Sequence, residues 1–187
     1  VGFAVGYTVT SGKWGTTTIV ATPRPVLQGY TEGQSAGTIS VSTPWAALQG
    51  TLRAHATTGL LQRMETNLPK GGTLVIGEAS QEINGGETPD FRARNIILSQ
   101  SAPALPQGFD SDSPMSPESR QSLQLSADLI KQGGFSSLHL FSNDKITLPA
   151  ATDLRLSPGG VFSALATSDI NVAGNINILS GEVSLKS

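Results

Sequence analysis

The clearest pattern in the chain is an apolar–polar–apolar triplet that recurs through its last third. Seven triplets begin between residues 138 and 183, and successive starts are 8, 8, 8, 8, 6 and 7 positions apart. All fourteen flanking positions are apolar and all seven middle positions are polar. The triplets are Leu138-His139-Leu140, Ile146-Thr147-Leu148, Leu154-Arg155-Leu156, Phe162-Ser163-Ala164, Ile170-Asn171-Val172, Ile176-Asn177-Ile178 and Val183-Ser184-Leu185.

This spacing predicts short strands stacked in successive turns of a coil. Side chains alternate across a strand, so each flanking pair faces inward and each middle residue faces solvent. If three strands make one turn of about 22 to 24 residues, each strand pairs in parallel with its equivalent one turn later. The sequence therefore predicts an all-β fold, a parallel β-helix or β-solenoid. The coil should be right-handed because parallel crossovers nearly always are.

Turn residues occupy the corners of this predicted coil. Ser157-Pro158-Gly159-Gly160 is a turn signal, and Gly174 and Gly181 occupy later corners. Carboxylates one or two residues before a triplet are predicted to accept backbone N–H bonds at a corner. The three aspartates in that position are Asp144, Asp153 and Asp169.

The pattern divides the chain into three regions. Residues 1–34 are predicted to form irregular or partial β-helix turns, and residues 1–9 already alternate like a strand. Residues 35–121 are predicted to form turns with two long polar insertions, 77–94 and 99–121, which a solenoid tolerates on one flank. Residues 122–187 are predicted to begin with a short helix and continue as regular turns. Strand-like segments of the middle region are 37–41, 47–54, 71–76 and 96–98.

One helix is predicted, over residues 127–132. Ser126 is in the N-cap position, and Asp128 suits the positive end of the helix dipole in the first turn. Gly133-Gly134 ends the helix, since glycine accepts the left-handed conformation of a C-cap.

Composition narrows the class of protein. Only 37% of the 187 residues are apolar and 5% aromatic, which suits a narrow core of small aliphatic side chains. The net charge is −2 and the 12 Lys and Arg residues are dispersed, so no basic stripe indicates nucleic acid as a partner. No apolar run approaches the ~20 residues that span a bilayer, so membrane insertion is not expected. The absence of cysteine excludes disulfides and thiolate metal sites.

Several segments resemble filamentous-haemagglutinin-like exoproteins. The resemblance covers most of residues 35–187 and rests on structural, repetitive motifs. It implies a right-handed β-helix shaft of a very large Gram-negative protein exported by two-partner secretion through an outer-membrane transporter partner. It also implies a secreted or cell-surface, outer-membrane-associated location and adhesion to host or bacterial surface glycans or proteins. The matching segments are Ser35-Ala36-Gly37-Thr38-Ile39-Ser40-Val41, Leu48-Gln49-Gly50-Thr51-Leu52, Gly59, Gln62-Arg63, Gly71-Gly72-Thr73-Leu74, Leu125-Ser126-Ala127-Asp128, Gly133-Gly134-Phe135-Ser136-Ser137-Leu138 and Leu156-Ser157-Pro158-Gly159-Gly160.

The chain departs from that family pattern at its start. It has no signal peptide, and the family's N-terminal secretion domain is missing. We therefore expect a segment of a longer protein.

A possible nucleophile motif lies at residues 33–37, which match G-x-S-x-G around Ser35. A nucleophile elbow needs a strand before the serine and a helix after it, but a strand pattern follows here. His55 and His139 are the only candidate bases, and His139 is the outward residue of a triplet. We favour a turn over a catalytic serine.

Two segments partly match known calcium-binding motifs. Asp110-Ser111-Asp112-Ser113 clusters oxygens but lacks the other ligands and the glycine of an EF-hand. Gly85-Gly86-Glu87-Thr88-Pro89-Asp90 lacks the third glycine of the calcium-binding nonapeptide. Solvated loops are the favoured interpretation, and no metal or cofactor is predicted.

The enzyme hypothesis is a polysaccharide lyase or hydrolase on the same scaffold. Such enzymes gather acids with basic residues or calcium on one parallel face. The three corner aspartates have only Lys145 and Arg155 nearby, so corner capping is preferred and no catalytic residue is assigned.

Two further groups of side chains have alternative roles. The asparagines are candidates for a stacked ladder or for exposed or capping positions, and the aromatic residues for stacking on sugars or, preferably, for packing against the N-terminal turns. They are Asn171, Asn175 and Asn177, and Trp14, Tyr30 and Trp45.

The sequence thus predicts a non-catalytic structural or adhesive shaft segment. The alternatives are the enzyme above and the shaft of a contact-dependent toxin-delivery exoprotein.

Overall fold

A computed structural model describes residues 6–10, 13, 15, 17–21, 31–60, 62, 68–78, 93–110 and 112–187. Most of their regular structure is β-strand, with two short helices, and the main sheet is parallel, as the all-β prediction required. The elements are β1 Gly6–Thr10, β2 Thr17–Ala21, β3 Thr38–Val41, β4 Thr73–Ile76, β5 Ala93–Ser99, α1 Pro117–Gln121, β6 Ser122–Ser126, α2 Ala127–Gly133, β7 Ser137–Leu148, β8 Asp153–Arg155, β9 Val161–Ala166, β10 Ile170–Val172, β11 Asn175–Asn177 and β12 Glu182–Lys186.

The parallel strands are arranged in three columns. Column A contains β3, β4, the first half of β7, β9 and β12, paired in that order. Column B contains β6, β5, the second half of β7 and β10. Column C contains β8 and β11. Columns A and B form one eight-stranded sheet because the continuous strand β7 belongs to both.

The strand pairs follow the triplet pattern. Leu138 is opposite Phe162, Ile146 opposite Ile170, and Leu154 opposite Ile176. Phe162 is in turn opposite Val183. Each triplet is therefore paired in parallel with the triplet three places later, at separations of 24, 24, 22 and 21 residues.

One hydrophobic core lies between the columns. Column A contributes Leu74, Leu138 and Phe162, column B contributes Ile146, and column C contributes Leu154, all fully buried. Burial of each such side chain contributes roughly 1.5–3 kcal/mol. The flanking residues of the first four triplets are all buried, which confirms the predicted inward-facing pattern there.

The last layer departs from that pattern. Val183 and Leu185 of β12 are 51% and 47% exposed, although they occupy the inward positions of column A. β12 pairs with β9 on one side alone within the described residues. An inward position is therefore buried when the chain packs another layer on it.

Small residues mark the corner that leads into column A. A Cβ atom added to Gly160 would lie 2.0 Å from the carbonyl oxygen of Ser136, and one added to Gly72 would lie 2.7 Å from that of Gly37. Each layer's corner carbonyl instead accepts an N–H of the next layer, as Val161 N–H does at Ser136 O over 3.1 Å. The close stacking of backbones leaves no room for larger side chains.

Helix α2 confirms the predicted helix. Its N-cap is Ser126, whose Oγ accepts the Leu129 N–H at 3.2 Å, and its left-handed C-cap is Gly134. Ala54 N–H donates to Gly133 O at 2.7 Å, and α2 also packs against β8. The helix thus lies in column C, between the extended residues 51–54 and β8.

Three features differ from the predicted scheme. Strand β7 runs through the corner between two triplets, where the buried Ser142 Oγ donates to Arg94 O at 2.7 Å and accepts Asp144 N–H at 3.2 Å. In column B, β6 lies between Ala47 and β5 although it follows β5 in the chain. The hairpin of β1 and β2 is antiparallel.

The insertions are partly described. The second one, predicted as irregular, contains helix α1, whose start is capped by Ser116 Oγ accepting Ser119 N–H at 3.2 Å. Residues 79–92 of the first insertion, including the segment compared with the calcium nonapeptide, lie outside the described residues.

Candidate binding groove

The residues of the G-x-S-x-G motif do not form a nucleophile elbow. Residues 31–37 are irregular, and Ser35 is followed by strand β3 where a helix would be needed. Ser35 Oγ accepts the Lys70 N–H at 3.0 Å. His55 Nε2 lies 2.9 Å from Gln132 O, and His139 lies in the outward position of β7. None of these contacts joins Ser35 to His55 or His139.

Two of the three aspartates before the triplets form ion pairs. Asp153 Oδ2 accepts Arg155 Nε at 2.7 Å in column C, and Asp169 Oδ2 lies 3.4 Å from Lys145 Nζ in column B. These carboxylates therefore bond to side chains, where the sequence predicted backbone N–H groups. Asp144 N–H donates to Ser142 Oγ, so the serine hydroxyl is the group that closes that corner.

Asp110, Asp112 and Ser113 are joined by hydrogen bonds to one another. Ser113 Oγ–H donates to Asp110 Oδ1 at 2.8 Å, and Asp112 N–H donates to the same oxygen at 3.1 Å. These two hydrogen bonds, the serine hydroxyl first, hold the pKa of Asp110 below its ordinary value of 3.8. The described residues contain no group of three or more His, Cys, Asp or Glu side chains suited to a metal ion.

The asparagines do not stack on one another. Asn175 is opposite Asp153 and Asn177 opposite Arg155 in column C, whereas Asn171 is opposite Thr147 in column B. All three are exposed. Trp45 is 46% exposed, while Trp14 and Tyr30 lie outside the described residues.

A polar groove lies where helix α2 replaces a strand in column C. We call this the α2 groove; it has a volume of about 630 Å³. One wall is the extended segment 49–53 with His55, and the other is the start and outer face of α2. The lining residues are Gln49, Gly50, Thr51, Leu52, Arg53, His55, Ser126, Asp128, Leu129 and Gln132.

The groove follows from the difference between a helix and a strand. A strand would pair its backbone with residues 50–53, but a helix satisfies its own amide groups. Among the described residues, the backbone of 50–53 makes no backbone hydrogen bond. The helix contacts this segment at its end, where Ala54 N–H donates to Gly133 O, so the space before that contact stays open.

Alternation along the extended wall directs polar side chains outward. Thr51, Arg53 and His55 are exposed, whereas Leu52 is half-buried and Ala54 is buried. The period of two is that of a strand.

Two charged side chains of the groove differ in their hydrogen bonding: the Asp128 carboxylate has a partner among the described residues, and the Arg53 guanidinium has none. Asp128 Oδ1 accepts Gln100 Nε2 at 2.5 Å. Arg53 makes no hydrogen bond or ion pair with another described residue. Sequence reasoning missed this site, although residues 51–55 show an alternating pattern that marks Arg53 as outward-facing.

A second cavity, of about 320 Å³, lies between residues 46–49 and the second insertion. The Gln49 amide forms one of its walls by donating to Pro103 O and accepting Leu105 N–H at 2.7 Å. Its lining is largely apolar and includes Phe109 and Met115. The cavity thus lies where the insertion folds back on the stack.

Comparisons with protein-family models, with curated proteins and with solved structures find no match. Within the described part of the chain, neither helix has the length and apolar character needed to cross a bilayer.

Proposed function

We propose that the chain is a segment of a right-handed parallel β-helix that forms the non-catalytic, adhesive shaft of a filamentous-haemagglutinin-like exoprotein. The observation that carries the proposal is the parallel pairing of each triplet with the triplet three places later. Three strands per turn, stacked in register, form a unit that can be repeated without limit.

A fold built from stacked layers can reach the length that a shaft needs. Each layer buries its apolar pairs against the layers beside it, so length is gained without a larger core. The outward positions stay polar, as with His139, Ser163 and Asn171, and offer long repetitive faces for weak contacts with surface ligands.

The proposal places the parent protein outside the cell. Folding turn by turn after export through an outer-membrane transporter requires a chain that crosses unfolded, and a chain without cysteine cannot be blocked by an early disulfide. The expected ligands are host or bacterial surface glycans or proteins.

Surface labelling in the native bacterium tests the function. An antibody against the purified chain should label intact cells, and deletion of the gene for the cognate outer-membrane transporter should abolish that labelling. Removal of the codons for residues 31–187 should reduce adhesion to host cells while the rest of the parent protein is still exported. Labelling that persists without any transporter, or adhesion that is unchanged, would contradict the proposal.

An activity assay separates the shaft from the enzyme on the same scaffold. The purified chain should release no product from pectin-like or host glycans. Product formation that is lost in both Asp153→Asn and Asp169→Asn would establish the enzyme instead.

A further inference from the structure

We propose that the α2 groove binds a carboxylate-bearing sugar, such as a uronic acid residue of a surface glycan, with Arg53 holding the carboxylate. The inference gives the proposed adhesive function a ligand class and a site.

Arg53 is the arginine that lines the α2 groove. A guanidinium group presents donors in a planar fork that matches a carboxylate in two parallel hydrogen bonds. The cations Lys145 and Arg155 already have carboxylate partners, at 3.4 and 2.7 Å. Arg53 has none among the described residues, although it lines a concave site. Its fork is therefore available to an incoming anion.

One carboxylate, that of Asp128, also lines the groove. Asp128 is tied to the Gln100 amide over 2.5 Å and lies in the first turn of α2. Its charge is thus engaged by the amide donor and by the helix dipole. No ion pair within 4 Å joins Asp128 to Arg53 among the described residues, so the positive charge of Arg53 is unpaired there.

Neutral hydrogen-bonding groups line the groove as well. The Thr51 hydroxyl and the Gln132 side-chain amide line the groove without a hydrogen-bond partner among the described residues. A hydroxyl and an amide both donate and accept, which is what the hydroxyl groups of a sugar require. The open backbone edge of residues 50–53 adds further donors and acceptors.

The floor and the size of the groove suit a sugar ring. Leu52 and Leu129 are half-buried lining residues that offer an apolar surface to the C–H face of a sugar ring. A volume of about 630 Å³ lies within the usual range for small-molecule sites, about 300–1,000 Å³.

The same features argue against other anions. A single unpaired arginine cannot neutralise a run of phosphates, so a nucleic acid does not fit. Acidic peptide motifs are recognised by clusters of arginines, whereas Arg53 is the one arginine that lines the groove. A monosaccharide or disaccharide with one carboxylate matches both the charge and the hydroxyl partners.

The test is an NMR titration of the full chain with methyl β-D-glucuronide, and with methyl β-D-glucoside as the uncharged counterpart. The glucuronide should shift the amide signals of residues 49–55 and 126–132. The glucoside should bind about tenfold more weakly, since it lacks the charge-assisted pair. Added salt should weaken the glucuronide more than the glucoside.

Single substitutions test which side chain holds the sugar carboxylate. Arg53→Gln should weaken glucuronide binding about tenfold and remove its preference over the glucoside. Gln132→Ala should weaken both sugars and keep the preference. Arg155→Gln is the matched control, because Arg155 is an exposed arginine of the same column that already has a carboxylate partner. Its affinity for both sugars should equal that of the unmodified chain.

Each contrary result overturns the inference. Shifts outside the groove, or equal affinity in Arg53→Gln, would remove the assigned site. Equal binding of sodium acetate, or tighter binding of the peptide acetyl-Gly-Glu-Gly-amide, would replace the sugar with a simple anion or a peptide. Surface labelling can depend on the transporter even if the titration shows no sugar binding, so the two experiments can reject the two proposals independently.

Discussion

At the scale of single residues, backbone contact between layers decides which side chains are allowed at the corner before column A. Gly37, Gly72, Ser136, Gly160 and Gly181 each precede a column A strand, so the small residue recurs with the strand. Ser136 uses its hydroxyl to donate to Gly71 O at 2.6 Å. Ser136 is the one member of this set with a side chain, and that hydrogen bond fixes the position of its hydroxyl.

Gly160→Ala should destabilise the protein by about 1–3 kcal/mol, the usual cost of overpacking. Its Cβ atom would lie 2.0 Å from Ser136 O, so the two layers would have to separate. Gly37→Ala is the matched control, because a Cβ atom there meets nothing within 4 Å. Urea unfolding followed by circular dichroism measures both, and equal stability of the two variants would show that the corner tolerates a side chain.

At the scale of elements, burial depends on which layer a strand occupies. Phe162 and Val183 hold equivalent inward positions on the neighbouring strands β9 and β12. Phe162 is fully buried between β7 and β12, whereas Val183 is 51% exposed. Sequence alone assigns both to the core, since their triplets have the same pattern.

Phe162→Ala should lower the free energy of unfolding by about 3–5 kcal/mol, as expected for a large side chain removed from a packed core. Val183→Ala should lower it by less than about 1 kcal/mol, because half of that side chain already faces solvent. Urea midpoints of the two variants give the comparison. A cost for Val183→Ala near that of Phe162→Ala would mean that β12 is covered in solution.

Helix α2 could be predicted because the residues that start and end it are close together in the sequence. Helix α2 follows from Ser126, Asp128 and Gly134, all of which act within one or two turns of the chain. Helix α1 has a similar signal, an N-cap Ser116 followed by Pro117 at the first helical position, inside a segment interpreted as irregular.

At the scale of the whole molecule, stability arises between neighbouring layers. Column A carries five strands in one parallel ladder, and each interior layer is held by the two beside it. Column C does not form a continuous ladder of strands, because α2 takes the place of a strand there and leaves the α2 groove. The replacement of a strand by a helix thus creates the concave polar site that we interpret as a binding site.

Disulfide trapping checks the order of the layers in a chain that has no cysteine of its own. His139→Cys with Ser163→Cys should oxidise to a cross-link, because these outward residues are opposite each other on paired strands about 4.8 Å apart. His139→Cys with Ser184→Cys should not, since Ser184 lies a further strand away. Gel mobility after oxidation reports the link, and a cross-link in the second pair but not the first would refute the order of column A.

The sequence by itself determined the strands of residues 138–185, their inward and outward faces, the pairing distance of three triplets and helix α2. These properties depend on alternation, spacing and caps, which act over a few residues or repeat at a constant interval. The tertiary structure alone decided the reversed order of β5 and β6, the ion pairs of Asp153 and Asp169, and the exposure of the last layer. It also decided the α2 groove, because that site needs residues 49–55 beside a helix more than seventy residues later in the chain. Contacts between distant segments depend on how layers pack, and no local pattern of residues specifies that packing.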